Sequence, residues 1–175
     1  MKVIFFLSFL FFTFDAFSSN KDFVKLIKGC SDEIQEQYEV NNTIPVELVL
    51  AQAILESNWG KSRFAIQGNN FFGMRTWDKK KKQMKPLKNP DAEFGLVVYQ
   101  TPCDSVADYI ENLNTSENYH IFRDIRSIEL SLWGHVDAVN LANGLRSYSE
   151  QKSLYISKVK KKIRALRKKG YLNSL

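Results

Sequence analysis

Apolar residues recur at three- and four-residue steps through most of this chain, a period that fits helices and excludes a sheet-dominated fold. Phe23, Ile27, Cys30, Ile34 and Tyr38 form one such stripe. Asn41-Asn42-Thr43 breaks it, and Pro45 stands where a second helix begins, a position that suits its missing N–H. Val46, Val49, Leu50, Ala53 and Ile54 carry the second stripe to Trp59-Gly60. Thr101-Pro102-Cys103-Asp104 has the cap, proline and acid of a helix start, with Val106, Tyr109, Ile110 and Leu113 behind it. Shorter helices are expected over 117–124 and 127–143, the latter stopped by Gly144. A final helix is expected over 151–169, with Leu154, Ile156, Val159, Ile163 and Leu166 inward. Residues 79–100 are the exception. Pro86 and Pro90 interrupt them, and Leu96-Val97-Val98-Tyr99 has strand character, so a hairpin or extended arm is expected with its turn near 89–95.

The first 18 residues read differently. Lys2 precedes an apolar run over 3–14, and Ala16-Phe17-Ser18 offers small residues at a cleavage site, the pattern of a signal peptide. Seven of the 13 Phe residues lie in this segment. A bilayer span needs roughly 20 apolar residues, and this run stops at Asp15. The expectation is an exported chain, periplasmic or extracellular, with residues 19–175 as one domain; an uncleaved anchor is the alternative. The net charge of +6 divides unevenly. Six Lys residues fall in 79–88 and nine basic residues follow from Lys152, while the rest of residues 19–175 is acidic on balance. Such blocks suit contact with an anionic cell wall, or are simply solvated faces. Nucleic acid as a partner is opposed by the leader and the acidic body. Cys30 and Cys103 form one disulfide or remain two buried thiols. Neither pairs with His120 or His135 in metal-ligand spacing, and no cofactor is expected.

Glu56 departs from a purely structural reading. It lies seven positions after Val49 and three after Ala53, on the apolar stripe of its own helix and near that helix's C-terminus. Burial and the helix dipole both disfavour its charged form, which raises a carboxyl pKa toward the range of a general acid. The plainer alternative is a Glu that reaches solvent at the helix end.

The surrounding residues resemble a known motif. Ala51-Gln52-Ala53-Ile54-Leu55-Glu56-Ser57-Asn58-Trp59-Gly60, then Ser62-Arg63-Phe64 and Gly68-Asn69-Asn70-Phe71-Phe72-Gly73, are similar to the core of the bacterial glucosaminidases of glycoside hydrolase family 73, in particular the Bax-like subgroup. Asn112-Leu113-Asn114-Thr115 and Leu141-Ala142, Gly144-Leu145 and Tyr148-Ser149-Glu150 continue the resemblance in order. It implies a lysozyme-like fold, mainly α with a small β-hairpin lobe, acting on peptidoglycan; a monomer is expected. It also implies cleavage of the β-1,4 bond after N-acetylglucosamine, with Glu56 as general acid and Tyr148 lining the site. Trp59, Asn70 and Phe72 would shape the sugar groove. A second carboxylate is expected in the β lobe, Glu93 first and Asp91 next, unless the substrate's acetamido group serves instead. Gln151-Lys152 replaces the subgroup's usual Arg-Gly, and the Lys79 to Lys82 run is a further departure. A lytic transglycosylase of the same fold, and a wall-binding module without catalysis, are the competing readings.

Overall fold

The computed structural model describes residues 19–172. The leader expected over 1–18 lies outside them. Ser19 opens helix α1 (Asn20–Gln35), its hydroxyl accepting the Asp22 N–H at 3.2 Å. Phe23, Val24, Ile27 and Cys30 face inward from it. Helix α2 (Val46–Ser57) starts after Pro45 and is buried on nearly every side from Leu48 to Ile54. That all-round burial makes α2 the central rod of the fold. It packs against α1 and against the last helix, α7 (Ser153–Lys168). Fully buried residues such as Phe23, Leu48 and Ile110 each contribute about 2 kcal/mol through apolar burial.

After the short helix α3 (Arg63–Gly68) the chain forms a small antiparallel sheet in the order β1-β3-β2. The strands are β1 (Arg75–Thr76), β2 (Gln83–Met84) and β3 (Gly95–Val97). Leu96 sits opposite Arg75 on one side and Met84 on the other. The hairpin expected near 89–95 is the β2–β3 connection; β1 adds a third strand to it.

Helix α4 (Pro102–Thr115) has a reciprocal cap. Thr101 Oγ1 accepts the Asp104 N–H at 3.2 Å, and Asp104 accepts the Thr101 N–H at 2.8 Å. Cys103, in its first turn, is joined to Cys30 of α1 by a disulfide, with 5.0 Å between the Cα atoms. This resolves the two readings of the cysteines.

The next segment differs from expectation. One helix, α5 (His120–Trp133), runs through the predicted gap between 124 and 127. It ends at Gly134, whose φ of +68° lets its N–H close on Leu130 O. Asp137 then caps α6 (Ala138–Leu141), and a 3-10 stretch covers Ala142–Ser147. Buried Glu129 holds this corner by accepting the Asp137 N–H and the Asn140 side-chain amide. Gly144 therefore does not stop a helix. It lets the 3-10 stretch lie on α5, because a Cβ there would stand 2.3 Å from Phe122 Cα. Gly144→Ala is expected to cost about 3 kcal/mol, since backbone rather than a flexible side chain must yield; urea denaturation of the two proteins measures it.

On α7 the buried residues are Tyr155, Val159, Ile163 and Leu166, whereas Leu154 is 58% exposed. Among the described residues no helix is long and apolar enough to cross a membrane.

Candidate active site

Helix α2 delivers Glu56 and then stops abruptly. Ser57, fully buried, donates its hydroxyl to Ala53 O at 2.6 Å and accepts the Gly60 N–H at 2.8 Å. Asn58, Trp59 and Gly60 follow with φ of 51°, 60° and 74°, three successive left-handed residues. A tryptophan rarely adopts that conformation, and here packing holds it. The Trp59 ring meets Phe23 at 6.2 Å and Tyr171 at 5.9 Å, with Lys162 Nζ 5.4 Å from its centroid. This corner turns the backbone away immediately after Glu56.

The Gly68-to-Gly73 loop is pinned just as firmly. Asn69, in the left-handed region, donates to the carbonyls of Tyr99 and Gln100. Asn70 is 2% exposed; its amide donates to Met74 O and Val97 O, both at 2.9 Å, and its oxygen accepts the Met74 N–H at 3.0 Å. Phe71 N–H donates to Ser105 Oγ, and the Phe72 ring stacks on Tyr109 at 4.0 Å. Gly73, at φ +68°, is thereby brought beside the acid, where a Cβ would lie 3.6 Å from Glu56 Oε2.

Glu56 opens on a depression of about 580 Å³. Phe72, Arg75, Trp77, Tyr119, Tyr148 and Glu150 are among its lining residues. Burial raises the Glu56 carboxyl above its ordinary value, against the opposing effects of a hydrogen bond from Tyr155 and the charges of Arg75 and Lys158. A carboxyl raised by burial holds its proton to higher pH than a solvated one, and a protonated carboxyl can donate to a bridging oxygen. Tyr148 donates to Phe72 O at 2.9 Å, its ring stacked on Tyr155 at 5.5 Å and 6°. Burial pushes the phenols of Tyr109, Tyr148 and Tyr155 far up, so they act here as neutral hydroxyls.

The structure brings together Glu56, Phe72 and Tyr148 of the residues expected from sequence. Asn70 and Trp59 do not line the depression; the first ties the loop to the sheet and the second packs behind the corner. Glu93 and Asp91 border an adjoining depression that shares Trp77 with the first. Sequence reasoning missed Tyr155, Gln52, Arg75 and the lining position of Glu150. Gln52 is fully buried one turn before Glu56, and a glutamine on so apolar a helix is the signal that would have found it.

A family model described as "Glucosaminidase: Mannosyl-glycoprotein endo-beta-N-acetylglucosaminidase" matches residues 32–173, a span containing all of these groups. The chain belongs to the glucosaminidase family. Protein bax of Escherichia coli (strain K12) is 31% identical over 112 residues, which are 64% of this chain and 39% of bax. The exo-glucosaminidase LytG of Bacillus subtilis (strain 168) is 43% identical over 49 residues, 28% of this chain and 17% of LytG. The chain thus spans well under half the length of these curated relatives. Among solved structures, the glycoside hydrolase domain of Salmonella typhimurium FlgJ superposes with a TM-score of 0.62 at 23% identity. The match covers 89% of this chain and 93% of that one. The catalytic domain of the Listeria monocytogenes autolysin Auto gives 0.62 at 20% identity, over 87% and 86%. The glucosaminidase fold here is the mainly α, lysozyme-like one, with its small β lobe beside the acid.

Proposed function

We propose that this glucosaminidase-family chain is an exported peptidoglycan hydrolase, cleaving the β-1,4 bond after N-acetylglucosamine with Glu56 as general acid. The observation that carries the reading is the half-buried Glu56 carboxyl, raised by burial and opening on a depression that Tyr119, Tyr148 and Glu150 also line. In the proposed reaction Glu56 gives its proton to the departing glycosidic oxygen as the C1–O bond breaks. Water completes the new reducing end, either after activation by a second carboxylate or after that carboxylate has attacked C1. Tyr148 and the Phe72 carbonyl it holds form the wall facing the sugar. The apolar leader, its small-residue cleavage site and the disulfide support export, because disulfides persist in oxidising compartments. The protein acts as a monomer in this reading, and its Lys-rich blocks contact the anionic wall.

Glu93 is the proposed second carboxylate, carried on the β2–β3 connection. Glu93→Gln should lower hydrolysis of purified peptidoglycan by about a hundredfold or more, with the fold unchanged. Full activity in that variant, together with loss in Glu150→Gln, would move the role to Glu150, which lines the depression itself. Mass spectrometry of the digests tests the bond and the chemistry together. Hydrolysis leaves a reducing N-acetylglucosamine end; an anhydro-muramyl end would instead make the chain a lytic transglycosylase. Wall that is bound but uncut would leave only a binding module.

A further inference from the structure

Behind Glu56 lies a polar chain that the reaction as written does not use. Gln52, fully buried, bridges two tyrosines: its Oε1 accepts the Tyr109 hydroxyl at 2.6 Å, and its Nε2 donates to the Tyr155 hydroxyl oxygen at 3.0 Å. These contacts set a direction. Tyr109, buried on α4, spends its proton on Gln52 Oε1, which fixes the amide with its nitrogen toward Tyr155. Tyr155 then has its oxygen engaged, and its own proton is left for Glu56, which stands one turn beyond Gln52 on α2 and acts on the same hydroxyl. The Tyr155 ring cannot turn away, because Tyr148 stacks flat upon it.

We propose that Tyr155 is a positioning residue for Glu56: clamped by Gln52 and Tyr148, its hydroxyl holds the carboxyl in one orientation and sets the upper pH limit of the acid. This rests on Glu56 being the proton donor, but the hydrogen bond itself does not. The other titratable groups facing Glu56 are Arg75 of the β lobe, Lys158 of α7, and the phenols of Tyr109 and Tyr148. Tyr119 and Glu150 border the same depression. None of them is altered by removing one oxygen from Tyr155.

A hydrogen bond given to a carboxylate favours its ionised form, so Tyr155→Phe raises the Glu56 pKa. Two readings are taken on the full chain. The first is the titration midpoint of Glu56 by NMR of protein carrying 13C-labelled glutamate, its resonance assigned by its loss in Glu56→Gln. The second is the pH profile of kcat/KM on peptidoglycan. Tyr155→Phe should move the midpoint up by about one pH unit, a tenfold change in acid dissociation. A general acid works while protonated, so the alkaline limb should move up by the same amount. An unchanged midpoint in a folded Tyr155→Phe protein overturns the proposal. If that variant fails to fold, Tyr109→Phe carries the test. It frees the Gln52 amide to turn and take the Tyr155 proton, so its midpoint must also rise, and a fixed midpoint there overturns the proposal equally. A shifted midpoint in a protein that cuts no glycan leaves the hold of Tyr155 on Glu56 standing, and ends the hydrolase reading together with the pH limit drawn from it.

Discussion

Glu56→Gln is expected to abolish clearing of cell walls in a zymogram while leaving a protein at least as resistant to heat as the wild type. The loss in turnover should be about a thousandfold or more, because the other acid of α2, Glu47, lies at the opposite end of the helix and cannot take over the proton transfer. The stability half follows from the raised carboxyl. A group whose folded pKa exceeds its unfolded value favours the fold while protonated in both states, and that advantage falls away as pH rises through the folded value. Above the folded value the wild type therefore carries an ionised carboxylate in a place that disfavours it. Glutamine removes that burden and keeps the shape. Melting curves at pH 5 and pH 8 should show the variant gaining on the wild type at the higher pH. Near-normal wall clearing would remove Glu56 from the mechanism.

Breaking the Cys30–Cys103 bond should have the largest effect on stability. It closes a loop across 73 positions and ties α1 to α4, two helices that also pack directly. Chain-entropy arguments give about 4 kcal/mol for a loop of that length. For a domain of this size that corresponds to a fall in Tm of roughly 10–15 °C. The double variant Cys30→Ser, Cys103→Ser, compared with the oxidised wild type by calorimetry, measures it directly. A change of only a degree or two would mean that the packing of α1 on α4 suffices alone.

Much of the helical frame was legible because its stripes are long. α1, α2 and α4 each carry several turns of period; Ser19 and Thr101 cap two of them through their side chains, and Pro45 marks the start of α2. The sheet was only half legible: β1 has two residues, too few for alternation to show. The stripe of α7 holds at Val159, Ile163 and Leu166, but at its start Tyr155 lies inward in place of Leu154. Hydrophobicity alone favours leucine there, but buried Gln52 needs a hydroxyl partner, and the tyrosine supplies it. The same slip hid Tyr155 from the site. Glu56 was visible because a carboxylate on an apolar stripe is an anomaly in one dimension. The placing of Glu93 across Trp77, and of Trp59 behind the corner, depends on turns whose directions no periodicity encodes.

The exposed, Lys-rich stretch 79–88 is the natural target of a trypsin-like protease, and it lies wholly between the two cysteines. Residues 30–103 are a covalent ring, so a single cut within it opens the ring without releasing a fragment. Glu56, Gln52 and Gly73 lie on the ring, while Tyr148 and Tyr155 come from the chain beyond it. A nicked molecule would therefore keep the acid tethered to its tyrosine partners, and only reduction after cleavage would separate them.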